Sequence, residues 1–368
     1  MNNIALTGNS SWSILNFRKN LISRLIQNGS KVHILAPVDS SSKELGDMGC
    51  LIHNIKIDRR GLNPFKDIKL IIRYYILLRK YKISHICTFN IKPNLYVAYA
   101  CFFLDTKPII NISGLGSAFI GNNFLTKIAK LLYKIALYGP NKTVFFQNKS
   151  DLNFFKESKI YFSESSNILP GSGIDLNFFK KNNAHLEERE LITKISYIGR
   201  LINDKGIMEF LNAAHHISKK NENVQFNIYG DFDLNNPSNS NRQNIESYFS
   251  DKIKFRGQVK DIRDALKRSH CVILPSYREG MSRSLLEAAA SGIPIIATDV
   301  PGCREIVSNE INGYLCNARD TDDLIVKIDK FLKLSNAELK RFGDNARIKI
   351  ENEFSVEIVI KKYLEQIY

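Results

Sequence analysis

Short apolar runs alternate along the chain with longer stretches whose hydrophobic residues fall three and four apart, the signature of strands followed by amphipathic helices. In the first half, residues 4–7, 31–36, 51–55, 85–89, 108–112 and 143–147 read as short buried strands, with helical stretches between them. That alternation predicts an α/β class, a parallel sheet wound on both faces by helices. A second alternation begins at 191, after a polar, charged stretch over 180–190 that reads as a linker. The pattern therefore predicts an N-terminal domain over 1–180, a C-terminal domain over 181–354 and a last helix over 355–368. A length of 368 residues suffices for two such domains with their own cores. There is no internal repeat, and the asparagine-rich patch over 235–244 reads as a polar surface loop.

Charge changes this picture once it is divided. The chain carries 52 Lys and Arg against 37 Asp and Glu. Residues 1–190 hold 26 of those cations against 13 acids, which leaves 26 against 24 for the rest, so the basic excess is N-terminal. Nucleic acid is not the expected partner, because no helix-turn-helix, zinc-finger or RNA-recognition motif accompanies the charge. The cations are instead interleaved with long aliphatics and aromatics over 64–82 and 123–138. Lys127, Lys130 and Lys134 recur on one stripe beside Leu125, Ile128, Leu132 and Ile135. Such a pattern suits a membrane surface, and equally a core-facing helix with a solvated lysine face; the charge favours the membrane. No run of about 18 apolar residues spans a bilayer, and the chain enters its first strand without a signal peptide, so a cytoplasmic, peripheral protein is expected. The six cysteines form no C-x-x-C pair and read as buried free thiols.

Candidate chemistry is concentrated in the second half. The run Cys271-Val272-Ile273-Leu274 ends at Pro275-Ser276, and residues 282–291 are good helix formers closed by Gly292. Glu279 thus precedes a helix that carries Glu287 more than a turn in. A helix N-terminus offers unpaired N–H groups and partial positive charge to a phosphate, and Gly280 lets the backbone approach it. Ser282 and Ser284 add hydroxyl donors, and the two carboxylates suit sugar hydroxyls. Two glutamates alone describe an ordinary solvated junction; the upstream residues change that. Strand 195–198 runs into Gly199-Arg200-Leu201 and then Asp204-Lys205-Gly206. Cations at the head of a helix oppose its dipole unless an anion sits there, so Arg200 and Lys205 are suited to a diphosphate. Glycines also end strand-like runs at Gly230 and at Phe255-Arg256-Gly257, on the rim where open α/β sheets bind ligands.

These motifs, with Gly292-Ile293-Pro294-Ile295-Ile296-Ala297-Thr298, Gly302 and Glu305, resemble the nucleotide-binding half of the retaining glycosyltransferases of family 4. The N-terminal segments Trp12 to Arg18, Asn90 to Asn94 and Asn111 to Phe119 resemble the members that extend undecaprenyl-diphosphate-linked sugars in bacterial O-antigen, capsule and glycan assembly. The resemblance implies a GT-B fold: two doubly wound Rossmann-like domains facing a central cleft, with residues 167–175 crossing between them and the last helix returning to the first domain. It implies Arg200 and Lys205 on the donor diphosphate, Glu279 at the transferred sugar and Glu287 at the ribose. Gly280, Met281, Ser282, Arg283, Ser284, Arg256 and Gly257 would complete the donor site, and Gly8 would face the ligand from the first domain. Many relatives carry a catalytic histidine on the loop after the fifth strand, where this chain reads Ile112-Ser113-Gly114-Leu115-Gly116. Ser113, Gly114 and Gly116 are the positioning candidates in its place, and no catalytic base is assigned.

The expected activity is transfer of an N-acetylhexosamine such as GalNAc from a UDP-sugar donor to a sugar on undecaprenyl diphosphate at the inner face of the inner membrane. A nucleotide-sugar 2-epimerase of the same fold and a non-catalytic sugar-nucleotide or membrane-binding subunit are the alternatives. No cofactor and no essential metal are expected: neither G-x-G completes a dinucleotide fingerprint, no Asp-x-Asp stands at a strand end with metal-ligating company, and cations already occupy the phosphate site. His33 and His85 lie in strand-like runs and read as core residues, His215 and His216 as a solvated helix edge.

Overall fold

The computed structural model describes residues 2–58, 61, 63–115, 124–139, 141–162, 167–181, 192–233, 236 and 238–368. The chain divides into two units, Met1–Ser172 with Val356–Tyr368, and Gly173–Ser355. The division falls at 172/173 and not near 180, because Ile174 bridges to Ser355 and Phe179, 4% exposed, packs into the second core. Most of the sequence-read linker, residues 182–190, lies outside the described residues.

In the first unit β1 (Asn3–Thr7), β2 (Lys31–Ala36), β3 (Leu51–Asn54), β4 (His85–Phe89), β5 (Lys107–Ile112) and β6 (Thr143–Phe146) form one parallel sheet ordered β3-β2-β1-β4-β5-β6. Between them run α1 (Ser11–Gln27), α2 (Ser42–Asp47), α3 (Pro64–Lys80), α4 (Ile91–Cys101) and α5 (Phe124–Ala136), with α6 (Lys149–Glu157) after β6. Local chemistry fixes the helix starts: Ser10 caps Ser13 N at 3.2 Å, and Asn63 caps α3 with Pro64 in its first turn. Residues 51–55 are not the buried strand that the pattern predicts. β3 is the sheet edge, stops at Asn54 and leaves Leu51 47% exposed, since an edge strand has a neighbour on one side only.

The second unit repeats the plan with β7 (Thr193–Ile198), α7 (Ile207–Lys220), β8 (Val224–Tyr229), α8 (Arg242–Glu246), β9 (Ile253–Gly257), α9 (Arg263–Lys267), β10 (Cys271–Leu274), α10 (Arg283–Ala290), β11 (Ile295–Thr298), β12 (Gly313–Cys316), α11 (Thr321–Leu332) and α12 (Asn336–Glu353). Its parallel order, β12-β11-β10-β7-β8-β9, is that of the first sheet read from the other edge. Both are doubly wound, and in each the winding reverses between the first and fourth strands, the place where such sheets bind ligands. The last helix, α13 (Val356–Ile367), belongs to the first unit and buries Val359, Ile360, Tyr363 and Ile367 beside Ile4, Leu6 and Ile14.

All six cysteines are buried and free. His33 is a packed residue of β2, its ring 5.2 Å from that of His53 and its Nδ1 3.0 Å from His53 Nε2. Burial, with help from His53 and Lys31, lowers its pKa to about 4. His215 and His216 are exposed on α7. Among the described residues no helix is long and apolar enough to cross a membrane.

Candidate functional site

The reversal point of the second sheet lies between β7 and β10, and their loops hold the charged residues singled out above. After β7 the chain passes Arg200, makes a 3-10 turn over Asn203–Lys205 and enters α7 through Gly206. Gly206 has φ +69°, and a Cβ there would lie 2.0 Å from the Pro275 carbonyl oxygen at the end of β10. Tyr277 N donates to Asp204 O at 2.9 Å across the same seam. This close approach of two backbones sets Lys205 against Glu279. Lys205 Nζ bonds Glu279 Oε1, with the two side chains only 21% and 11% exposed.

Glu279 is held from three directions. Its N–H donates to Pro301 O at 3.1 Å, and Gly302, φ +82°, lies so close that a Cβ there would sit 2.6 Å from Glu279 Cβ. The side chain of fully buried Ser276 donates to Glu279 Oε1 at 2.8 Å. Ser276 is in turn tied through its carbonyl to Thr298 Oγ1. Among the described residues, the Lys205 and Ser276 bonds to the carboxylate both fall on Oε1, which orients Oε2 for a further partner. The sequence reading missed Ser276; its only signal there is position, a small hydroxyl three residues before the glutamate. Ser276→Ala is expected to lower kcat about tenfold, the usual worth of a hydrogen bond to a charged group, with little change in donor KM. Unchanged kcat in steady-state assays would remove Ser276 from the positioning of Glu279.

Beyond Gly280 and Met281, α10 starts at Arg283 with Ser282 as N-cap. The Ser282 side chain makes no capping bond, so it does not occupy the N–H groups of the first turn. Ser282 Oγ and Ser284 Oγ lie 3.4 Å apart. Arg283 Nε donates to Glu287 Oε1 at 2.8 Å, and its Nη1 to Gly173 O at 2.8 Å. Burial raises the pKa of Glu287 above the usual glutamate range; Arg283 draws it back, and Asp261 adds to the rise. Arg200 is more open: its guanidinium, 55% exposed, pairs with Asp233 at 2.9 Å. An exposed pair of this kind is worth about 0–1 kcal/mol, so Asp233 holds Arg200 only weakly. Asp233 carried no signal in the sequence reading.

Arg256 and Gly257 sit on β9, the sheet edge. Arg256 Nε is bonded to Asn227 Oδ1 of β8 at 2.9 Å, which ties it to the sheet and not to the Lys205–Glu279 pair. Gly257, φ +71°, accepts from Gly230 N at 3.0 Å and has open space where a Cβ would stand. No group of three or more potential metal ligands occurs among the described residues.

Gly8, Ser113 and Gly114 belong to the first unit, after β1 and β5; Gly116 lies outside the described residues. That unit's reversal point, between β1 and β4, joins two of the sequence segments: Asn9 N donates to Asn90 Oδ1 at 3.2 Å. Asn90 has φ +77°, a conformation rare outside glycine and held only where its surroundings demand it. Behind it runs a buried polar chain. Thr88 Oγ1 donates to Asn94 Oδ1 at 2.7 Å, Asn94 to Asn111 O at 2.9 Å, and Asn111 Nδ2 to Tyr363 Oη at 2.9 Å.

The carboxyl of Glu287 gives this site a pH signature. Its folded-state pKa lies above the unfolded value, so its contribution to stability falls as pH rises upward from the ordinary glutamate range. Where Glu287 accepts hydroxyls from a ligand, affinity does the opposite and weakens as pH drops through the raised pKa. Calorimetric UDP titrations at mildly acid pH should show that loss in the wild type and a weaker, flat profile for Glu287→Gln. Coincident profiles would remove Glu287 from the ligand.

Two family models cover most of the chain: Glycosyl transferases group 1 matches residues 178–349, and Glycosyl transferase 4-like matches residues 3–148. The N,N'-diacetylbacillosaminyl-diphospho-undecaprenol alpha-1,3-N-acetylgalactosaminyltransferase of Campylobacter jejuni is 26% identical over 98% of this chain and 97% of its own. An Escherichia coli UDP-Gal:alpha-D-GlcNAc-diphosphoundecaprenol alpha-1,3-galactosyltransferase is 28% identical over 81% and 78%. In fold, the chain is similar to Anabaena HepE, crystallised in complex with UDP, with a TM-score of 0.79 at 15% identity over 100% of this chain and 99% of that one. The architecture is GT-B.

Proposed function

Because the chain belongs to the group 1 and 4-like glycosyltransferases, we propose that it is a retaining transferase that moves a sugar from UDP to a sugar on undecaprenyl diphosphate. The transferred sugar in this reading is an N-acetylhexosamine such as GalNAc. The product is an intermediate of O-antigen or a related surface glycan, made at the cytoplasmic face of the inner membrane. The observation that carries the proposal is the Lys205–Glu279 pair at the β7/β10 reversal point, beside the N-terminus of α10. The two relatives described above, whose names specify acceptors on undecaprenyl diphosphate, support the choice of acceptor.

The chemistry follows from the groups present. As the sugar departs, negative charge grows on the diphosphate. The N–H groups of α10, Arg200 and the two ammonium protons that Lys205 does not give to Glu279 are fixed to meet it. Glu279 Oε2 takes a hydroxyl of the transferred sugar, and Glu287 takes the ribose hydroxyls. The polar chain through Asn94 and Asn111 fixes the loops after β4 and β5, on which the acceptor is positioned.

Mass spectrometry of products from a screen of UDP-sugars against undecaprenyl-diphosphate-linked GlcNAc and GalNAc tests the reading. One donor should extend one acceptor by a single α-linked sugar, and turnover should persist in EDTA because fixed cations serve the diphosphate. A C2-epimerised UDP-sugar formed without acceptor would make the enzyme an epimerase instead. Loss of turnover in EDTA would overturn the metal-independent part.

A further inference from the structure

The outer sides of α3 and α5 depart from the polar surface expected of helices that flank a sheet. α3 buries Leu70, Tyr74, Leu77 and Leu78 against the core, yet Phe65, Ile68, Ile72 and Ile76 stand 76%, 53%, 51% and 47% exposed. Steps of three and four place these four on one line along the helix. Lys66, Lys69, Arg73 and Lys80, all exposed, flank that line. The one acid of α3, Asp67, is bound to Lys92 at 2.8 Å.

α5 repeats the arrangement. It buries Tyr133 and Ala136, while Ile128, Leu131 and Ile135 are exposed beside Lys127 and Lys134, and α5 has no acidic residue. The outward apolar set therefore differs from the sequence-read stripe, in which Leu132, half-buried here, stood where Leu131 stands. Exposed Phe162 extends the patch, with the Lys134 ammonium 6.0 Å from its ring. The crossovers β3→β4, β4→β5 and β5→β6 all step in one direction along the sheet. Right-handed connections then place α3, α4 and α5 on one face, and both outer helices pack on α4.

We propose that this face of α3 and α5 docks the protein on an anionic bilayer. Isoleucines and a phenylalanine in line, with lysines and arginines able to extend their heads past them, match the boundary between acyl chains and acidic headgroups. A protein partner fits less well, because lysine is depleted from the cores of protein interfaces. A second copy of the face would set like charges against each other. The proposal deepens the reading of a lipid-linked acceptor and takes its purpose from it, but the docking itself needs no substrate.

The test uses the whole chain, without donor or acceptor, sedimented with phosphatidylcholine vesicles that contain or lack phosphatidylglycerol. Binding is expected to the anionic vesicles only and to weaken in high salt. Each engaged cation contributes roughly fivefold in partition, so Lys69→Glu with Arg73→Glu should lower it at least tenfold. Ile72→Glu with Leu131→Glu should do the same while leaving turnover of a short-chain, water-soluble diphosphate acceptor unchanged. As a check independent of folding defects, Ile72→Trp should be quenched by brominated lipid. Absent binding to anionic vesicles, wild-type partition by both double variants, or no added quenching in Ile72→Trp would each overturn the proposal. So would a dimer in solution that the same substitutions dissociate. Vesicle binding without turnover of any undecaprenyl-linked acceptor would instead count against the proposed function and leave the docking face standing.

Discussion

Lys205→Ala is expected to lower kcat by about 10²–10³-fold, the loss that follows removal of one fixed donor from a developing anion. Two effects combine in it. The leaving diphosphate loses a cation, and Glu279, 11% exposed, keeps Ser276 Oγ as the remaining hydrogen-bond partner of its carboxylate among the described residues. The two effects separate in a double-mutant cycle with Glu279→Gln. If Lys205 served only to neutralise Glu279, the double variant would recover the activity of Glu279→Gln alone; if it serves the leaving group, the double variant stays at or below Lys205→Ala. Rapid-quench turnover with saturating donor reads the difference. A kcat within about threefold of wild type for Lys205→Ala would take the residue out of the mechanism.

Gly206→Ala should be among the most damaging conservative changes in the second unit. The left-handed backbone alone costs an alanine about 1–2 kcal/mol. The added Cβ, 2.0 Å from the Pro275 carbonyl oxygen, must also push the β7 and β10 loops apart. Together these predict a loss of about 2–4 kcal/mol in stability and, in the folded fraction, a weakened Lys205–Glu279 pair with reduced kcat. Gly257→Ala is the control: its φ of +71° is nearly the same, but open space receives the Cβ, so only the backbone term applies. Urea midpoints measured on the two variants should differ clearly, and equal shifts would mean that the close approach at Pro275 is unimportant.

Much of this fold was readable in advance because the pattern is local. Apolar runs of four to six residues bounded by polar ones specify β1, β2 and β4 to within a residue, and Gly292, φ +75°, closes α10 as the helix-forming run over 282–291 predicts. Position within the sheet was less legible. A run such as Leu51 to Ile55 looks the same whether it ends up central or at an edge, since edge status depends on which strand pairs beside it. The direction of α5 was ambiguous for a related reason. Apolar residues occur on both its sides, and only packing on α4 reveals that Tyr133 and Ala136 are covered while Ile128 and Leu131 are not.

The sequence by itself carried the class of chemistry as an expectation: cations at the start of one βα segment suit a diphosphate, and glutamates at the start of another suit sugar hydroxyls. Only the tertiary structure decided the pairing. Lys205 and Glu279 are 74 positions apart, and they become neighbours because the winding reverses between β7 and β10. It also decided that Asp233 holds Arg200 and that Arg256 is bound to Asn227. These are contacts between the ends of different strands, set by sheet order and by glycines that let two backbones touch. No spacing along the chain encodes them.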